Sequence, residues 1–414
     1  MNVDNTFLKK QIILQFFIVS NYLLYLINAK TIFIITNCLL ILFYLFNVII
    51  DNFNRRIILT KITILIYIII SIGSPMTEWD ARSIWLFHAK RIFFDNNFYS
   101  ILDNYFELSH NDYPLLAATI SASLANLIKG WNEVFPKFAN IILMTSPIIF
   151  LSYILKNKVK EMLFVFVIIF IMEKRIIVGE MDMLLSIYFV INVISLGYLF
   201  FIKKFEQSFL VVYIFFNLII YSLLKVEALP ILLLILIITI IIKKILKNKD
   251  KKIYLIFLSL LPIMHWKYLV YKNNIESFLT NYSNLEYFFK NIFKFDLHFK
   301  ILELLFYSKN AIVALLFLSY FFIKNTEFDA RKITINFNGE FIKKNYTTIL
   351  LLCFCLIYFF IVYLMILSSY FAYGLIVEIG RFRYNLPISI GICYAVIHSN
   401  FSSKKIKNFF SSRT

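Results

Sequence analysis

An all-α polytopic membrane protein of about twelve transmembrane helices is the fold class this sequence predicts, and three observations predict it. Of its 414 residues 61% are hydrophobic and only 16% charged, with a mean hydropathy of +0.78. That is far from the pattern of soluble domains. Apolar runs of roughly 15–22 residues, the length that crosses a hydrocarbon core as helix, recur along the whole chain. Between them, lysine and arginine gather in every second loop, the bias that marks cytoplasmic loops.

Taken in order, the runs fall near 11–28, 31–50, 57–74, 134–155, 161–178, 183–202, 207–224, 228–242, 253–270, 305–323, 346–367 and 384–399. The first lacks a small-residue cleavage site and a second follows at once, so it is expected as a retained span. With Lys9 and Lys10 cytoplasmic, the same side receives Arg55 and Arg56, Lys156, Lys158 and Lys160, then Lys203 and Lys204. Lys243, Lys244, Lys247, Lys249, Lys251 and Lys252 follow, then the 324–344 loop and the tail with Lys404, Lys405 and Lys407. Both termini are therefore expected in the cytoplasm of a cell-membrane protein surrounded by membrane lipids. The net charge of +18 is accounted for by topology, and no nucleic-acid partner is expected. Cys353 and Cys355 lie inside an apolar run with no matching pair elsewhere, so neither a zinc site nor a disulfide framework is indicated.

Three regions follow: 1–56 with two additional N-terminal helices, a central module at 57–270 holding a long external loop at 75–133, and 271–414 with the remaining helices, external loops and a cytoplasmic tail. The parity that puts the lysines inside puts 75–133, the turn at 179–183, Lys225, 271–304 and 368–383 outside. For that to hold, 115–127 cannot span. Short and carrying Thr119, Ser121, Ser123 and Asn126, it is expected to lie along the surface as an amphipathic helix or to re-enter.

The stretch 75–114 is the one long polar interruption in the first half of the chain, and it concentrates Glu78, Asp80, Arg82, His88, Lys90, His110 and Asp112. Asp80 follows the third run, Asp112 precedes Tyr113 and Pro114, and Asp182 sits in a very short turn. A carboxylate at the lip of a span is costly unless solvated or partnered, which makes these three candidates to converge on one site. Each also has a plainer role. Asp80 suits a helix N-cap or a partner for Arg82, His110 and Asp112 suit a turn that caps a helix starting near Pro114, and Asp182 suits a cap on the run at 183–202. His88 suits an interfacial belt, and Arg381 and Arg383 suit headgroup anchors.

The order of these pieces resembles the C-type (GT-C) membrane glycosyltransferases, closest to the branch of protein O-mannosyltransferases and the lipid A aminoarabinose transferase. TEWDARSIWLFHAK places Asp80 early in the first large external loop, and HNDYPLL leads out of it. VGEMDMLLSIYF resembles the branch's second external loop, LLKVEALP its "TKG" or "KxEG" turn, and GRFRYNLP its late "RY-x-LP" stretch. The likeness covers roughly 57–270 with an echo at 378–390; the family's "DE" is Asp80-Ala81 here, and its glycine after Lys-x-Glu is Ala228.

The resemblance implies transfer of a sugar from a polyprenyl-phosphate donor to a glycolipid, glycan or protein acceptor on the outer face. It implies Asp80 as catalytic base, with His110, Asp112, Asp182, Lys225, Glu227, Arg381 and Arg383 contacting substrate. No cofactor is required by these residues; the family leaves open a divalent cation, Mg or Mn, with Asp80 and Asp182 as its ligands. Chemically one base suffices, because a phosphate leaving group needs little protonation, whereas glycoside hydrolysis uses a carboxylate pair against a poor alkoxide. Two other classes share the setting. A flippase or transporter is expected to show internal repeats and charged midplane helices, and a polysaccharide polymerase or ligase is expected to carry its long loop late.

Overall fold

The computed structural model describes residues 3–50, 57–74, 79–105, 109–155, 157–172, 177, 179–202, 205–247, 250–276, 285–307, 309–329, 332–335, 339–368 and 385–399. Helix dominates them. The helices are α1 (Val3–Leu26), α2 (Thr31–Ile50), α3 (Ile58–Gly73), α4 (Leu86–Asp95), α5 (Leu116–Leu127), α6 (Ala139–Leu155), α7 (Lys158–Val167), α8 (Asp182–Phe201), α9 (Gln207–Ser222) and α10 (Ala228–Ile245). They continue with α11 (Leu260–Lys272), α12 (Leu285–Ile292), α13 (Phe295–Tyr307), α14 (Lys309–Asn325), α15 (Gly339–Leu367) and α16 (Asn385–His398). Single π turns at Ala81–Trp85 and Ile168–Met172 and a 3-10 stretch at Lys251–Ser259 extend three of them. One departure from all-helix is a two-stranded antiparallel pair, β1 (Thr326–Asp329) with β2 (Lys332–Ile335), inside the basic 324–344 loop.

The described residues of the twelve apolar runs are largely helical, and six helices are long and apolar enough to cross a membrane: Thr31–Ile50, Pro136–Leu155, Asp182–Phe201, Ala228–Ile245, Lys251–Lys272 and Asn345–Leu367. The chain therefore has the helices of a membrane protein. Local chemistry sets several of their ends. Asn157 caps α7 by accepting from the Val159 amide at 2.8 Å, Asp250 caps the 3-10 stretch in the same way from Lys252, and α4 stops at Asn96 in the left-handed region.

The core is polar at chosen points. Gln15 Nε2 donates to Ser146 Oγ at 3.2 Å and to Asn217 Oδ1 at 2.7 Å, tying α1 to α6 and α9. Such bonds hold helices together where lipid supplies no hydrophobic drive. Close crossings use glycine: a Cβ at Gly197 would lie 2.4 Å from Thr347 Cγ2, and one at Gly391 would lie 2.5 Å from Cys355 Sγ. Thus α15 packs tightly on α8 and α16, and the first two helices belong to the same bundle.

One expectation is corrected. The surface placement left open for 115–127 fails, because α5 is buried at every position from Leu116 to Ala125. Its small residues Ala117, Ala118, Ala122 and Ala125 let neighbouring helices approach. Its polar ones are satisfied inside: Ser121 donates to Pro136 O at 2.8 Å, Ser123 to Asn21 Oδ1 at 2.9 Å, and Asn126 to Tyr25 Oη at 3.1 Å. α5 is a short helix inserted in the bundle.

Contacts sort the loops to two ends. At one, Tyr99 Oη donates to Leu26 O, Asn104 Nδ2 to Asn274 O, and Lys225 Nζ to Asp182 Oδ1. At the other, the Glu206 amide donates to Asn5 Oδ1, Lys160 Nζ to His398 O, and Lys252 Nζ to Ser208 Oγ.

Candidate functional site: a carboxylate cluster at one end of the bundle

The segment 109–115 is held from three sides before α5 begins. His88, buried on α4, places Nε2 3.1 Å from Ser109 O. Ser109 Oγ donates to Asn111 Oδ1 at 2.7 Å, and the Trp266 indole of α11 donates to Asp112 O at 2.9 Å. His110 takes the left-handed region (φ 48°), which turns the chain so that the Tyr113 amide reaches His110 O at 2.9 Å. Asp112 is fully buried.

Tyr113 is the hub. Its ring stacks on His110 (4.7 Å between centroids) and on Trp85 (5.6 Å). Its hydroxyl donates to Glu227 Oε1 at 2.7 Å, and Lys225 Nζ lies 5.6 Å from its ring centre. Lys225 and Glu227 sit in the turn between α9 and α10, where the Ala228 amide closes onto Lys225 O at 3.1 Å. The Lys225 ammonium is 2.8 Å from Asp182 Oδ1 and 3.9 Å from Glu227 Oε1, all three side chains being at least 88% buried. Asp182 opens α8 just after the Gly179 turn (φ 94°), so its charge also meets the helix N-terminus.

Asp80 is half-buried at the start of the π turn, and its side chain makes no cap hydrogen bond there. Arg82 approaches Glu133 at 4.0 Å. Asp80, Asp112, Glu227 and Lys225 all act on the His110 ring. Burial, the largest cause, lowers the His110 pKa from its ordinary value; the three carboxylates oppose this and Lys225 assists it. Burial likewise pushes His88 down to about 4, so both rings are neutral near pH 7.

The structure thus brings together Asp80, His110, Asp112, Asp182, Lys225 and Glu227, from four separate stretches of sequence. Arg381 and Arg383 lie outside the described residues. Three further contributors come from the fold: Tyr113, whose only signal was its place between an acidic turn and Pro114; His88, which grips 109–115 and is no belt residue; and Trp266, an indole donor inside an apolar run. Asp182 stands in the first helical turn beside Lys225, not at the cap position, which is Met181.

Of the two ligands the resemblance left open for a divalent cation, Asp80 and Asp182, the second faces a lysine. Among the described residues no three His, Cys, Asp or Glu side chains converge to hold a metal ion. Asp182 already receives an ammonium. A cavity of about 690 Å³ opens at the other end of the bundle, lined by Lys160, Leu163, Leu316, Tyr320 and Val396 among others. It is remote from this chemistry.

Fold and cluster define a helical bundle of membrane-protein composition with the buried Lys225 ammonium and four carboxylates gathered at one end. No family model matches the chain, and no match is found among curated proteins or solved structures.

Proposed function

We propose that the chain is a membrane glycosyltransferase of GT-C type that moves a sugar from a polyprenyl-phosphate donor to a glycolipid, glycan or protein acceptor. In this reading about twelve helices span the membrane, both termini are cytoplasmic, and the cluster faces outward, as the lysine distribution favours. One observation carries the proposal: at one end of an apolar bundle Asp182 and Glu227 hold the Lys225 ammonium, while Asp112 and the partly open Asp80 act with Glu227 on the adjoining His110 ring. Departure of a phosphate leaves positive charge at the anomeric carbon, and fixed carboxylates stabilise such charge where it develops.

The steps balance. The Asp80 carboxylate takes the proton of the acceptor hydroxyl, whose oxygen attacks the anomeric carbon. The carbon–oxygen bond to phosphate breaks, the polyprenyl phosphate leaves with the electron pair, and attack from the opposite face inverts the centre. Lys225 is already compensated by Asp182 and Glu227, so it orders those carboxylates. The donor phosphate is assigned to Arg381 and Arg383, whose forked groups suit it.

Mass spectrometry of envelope glycolipids and glycans, with and without the gene, tests this. One missing sugar is expected. Unchanged profiles, together with no transfer by purified protein from a range of polyprenyl-phosphate sugars, would sink the reading and favour a flippase.

A further inference from the structure

Between α11 and α14 the pair α12–α13 packs one face on the end of α15. Leu297 and Ile301 pack with Ile366 and Leu367, Asn291 Nδ2 donates to Leu367 O at 2.9 Å, and His298 hydrogen-bonds Tyr363. This is the end of α15 that shares the carboxylate cluster's side. The opposite end of α15 places Tyr346 on Phe201, the last residue of α8, at 4.8 Å between rings, and α8 begins at Asp182.

The outward faces are not polar. On α12, Leu285 and Phe289 form a stripe that continues to Phe293; on α13, Phe295 and Phe299 form another. These five side chains are 61–78% exposed. Beside each stripe runs a charged one at the same spacing, Glu286 with Lys290 and Asp296 with Lys300, also exposed. Each helix therefore has three faces: one packed on protein, one apolar and open, one charged. A helix rim facing water needs no open phenylalanines, and a span needs no flanking charges. The pattern fits the boundary between headgroups and acyl chains.

What covers the stripes is indicated by their neighbours. Leu364 and Phe360, on the same end of α15, are also exposed and apolar, as on a lipid-facing helix, so the open surface continues from span to hairpin. From Asn345 to Leu367, 23 residues, α15 measures about 34 Å, close to a bilayer core. That sets its last turn at the headgroup level.

We propose that α12–α13 is an interfacial anchor whose phenylalanine stripes insert into the lipid monolayer on the cluster's side, with Lys290 and Lys300 at the depth of the lipid phosphates. The proposal rests on the membrane reading of the spans and not on the sugar chemistry. The anchor would fix the end of α15 to the membrane surface.

The test uses the full chain in lipid nanodiscs. In a Cys353→Ser background the other cysteines are buried, so single replacements Phe293→Cys and Phe299→Cys label selectively with an environment-sensitive fluorophore. Both positions are open and leave the packed face intact. Phe360→Cys and Asn104→Cys serve as lipid-facing and water-facing references. The expected result is blue-shifted emission at 293 and 299, quenched more by nitroxides near the headgroup than at the chain end, and resistant to aqueous iodide. Quenching by iodide to the extent seen at 104 would overturn the proposal. So would protection from both quenchers, since that means protein covers the stripes.

Discussion

Two buried carboxylate sites lie at opposite ends of this bundle and differ in what satisfies them. Glu161, in the first turn of α7, accepts from the Thr60 amide at 3.0 Å and from Thr60 Oγ1 at 3.2 Å, while Ser152 sits 2.7 Å from the same hydroxyl. Uncharged donors at the start of α3 thus hold it, and it joins α3, α6 and α7. At the other end Asp182 and Glu227 converge on the Lys225 ammonium, Tyr113 adds a hydroxyl, and Asp80 and Asp112 add two more negative charges around His110. The first site is complete in itself. The second gathers charged groups, with one lysine between two of its carboxylates and a histidine ring beside the others. Burial alone therefore does not distinguish the two sites; the charge of the groups that satisfy each carboxylate does.

The difference has measurable consequences, and the largest is at the ammonium. Lys225→Met strands two buried carboxylates and is expected to cost about 3–5 kcal/mol in thermal unfolding of the purified protein. Glu161→Gln keeps an oxygen facing the Thr60 donors and is expected to cost only about 1 kcal/mol. Equal losses would erase the distinction. Adding Asp182→Asn to Lys225→Met should recover part of the loss, since one stranded charge is removed.

His88 gives the next effect, and it depends on pH. Its pKa is lowered by burial from 6.5 to about 4, so the unfolded chain binds more protons between these values. Stability then falls as the pH drops through that window, by on the order of 3 kcal/mol in all, and levels off below it. Melting temperatures of wild type and His88→Gln between pH 7 and pH 4 check this. The variant should lose the His88 share of the slope and keep the part that His110, also lowered by burial, contributes; an unchanged slope would place the titration elsewhere.

The smallest effect belongs to the rim. Arg91 clasps Asp103 through two contacts of 2.9 and 2.6 Å, and this hydrogen-bonded partner lowers the Asp103 pKa. A depressed carboxylate stabilises above its unfolded pKa of about 3.9 and loses that contribution as pH falls through the folded value. Asp103 is 42% exposed, so Asp103→Asn should cost no more than about 1 kcal/mol, less in high salt. A larger loss would mean the loop at 97–105 supports the cluster more than its contacts indicate.

Sequence carried much of this because membrane helices write their length into composition. The run at 31–50 is α2 to the residue, and the acidic turn at 110–112 drew notice because charge next to a span is costly. The fate of 115–127 was not legible: a short helix rich in Ala and Ser suits both a surface and a crowded interior, and only its neighbours decide. The Asp182–Lys225 pair was invisible for another reason. Its partners are 43 residues apart, and parity puts both turns on one side without saying that these two side chains meet. The donor bonds of Tyr113 and Trp266 appear only in three dimensions.

The central claim is that the half-buried Asp80 carboxylate of the cluster serves proton transfer, and Asp80→Asn tests it most directly. The variant keeps size and capping capacity but cannot take a proton. Assayed for sugar transfer from a polyprenyl-phosphate donor, with insertion and melting temperature verified as normal, it should lose about 10²–10⁴-fold in rate. Near-normal turnover would contradict the account.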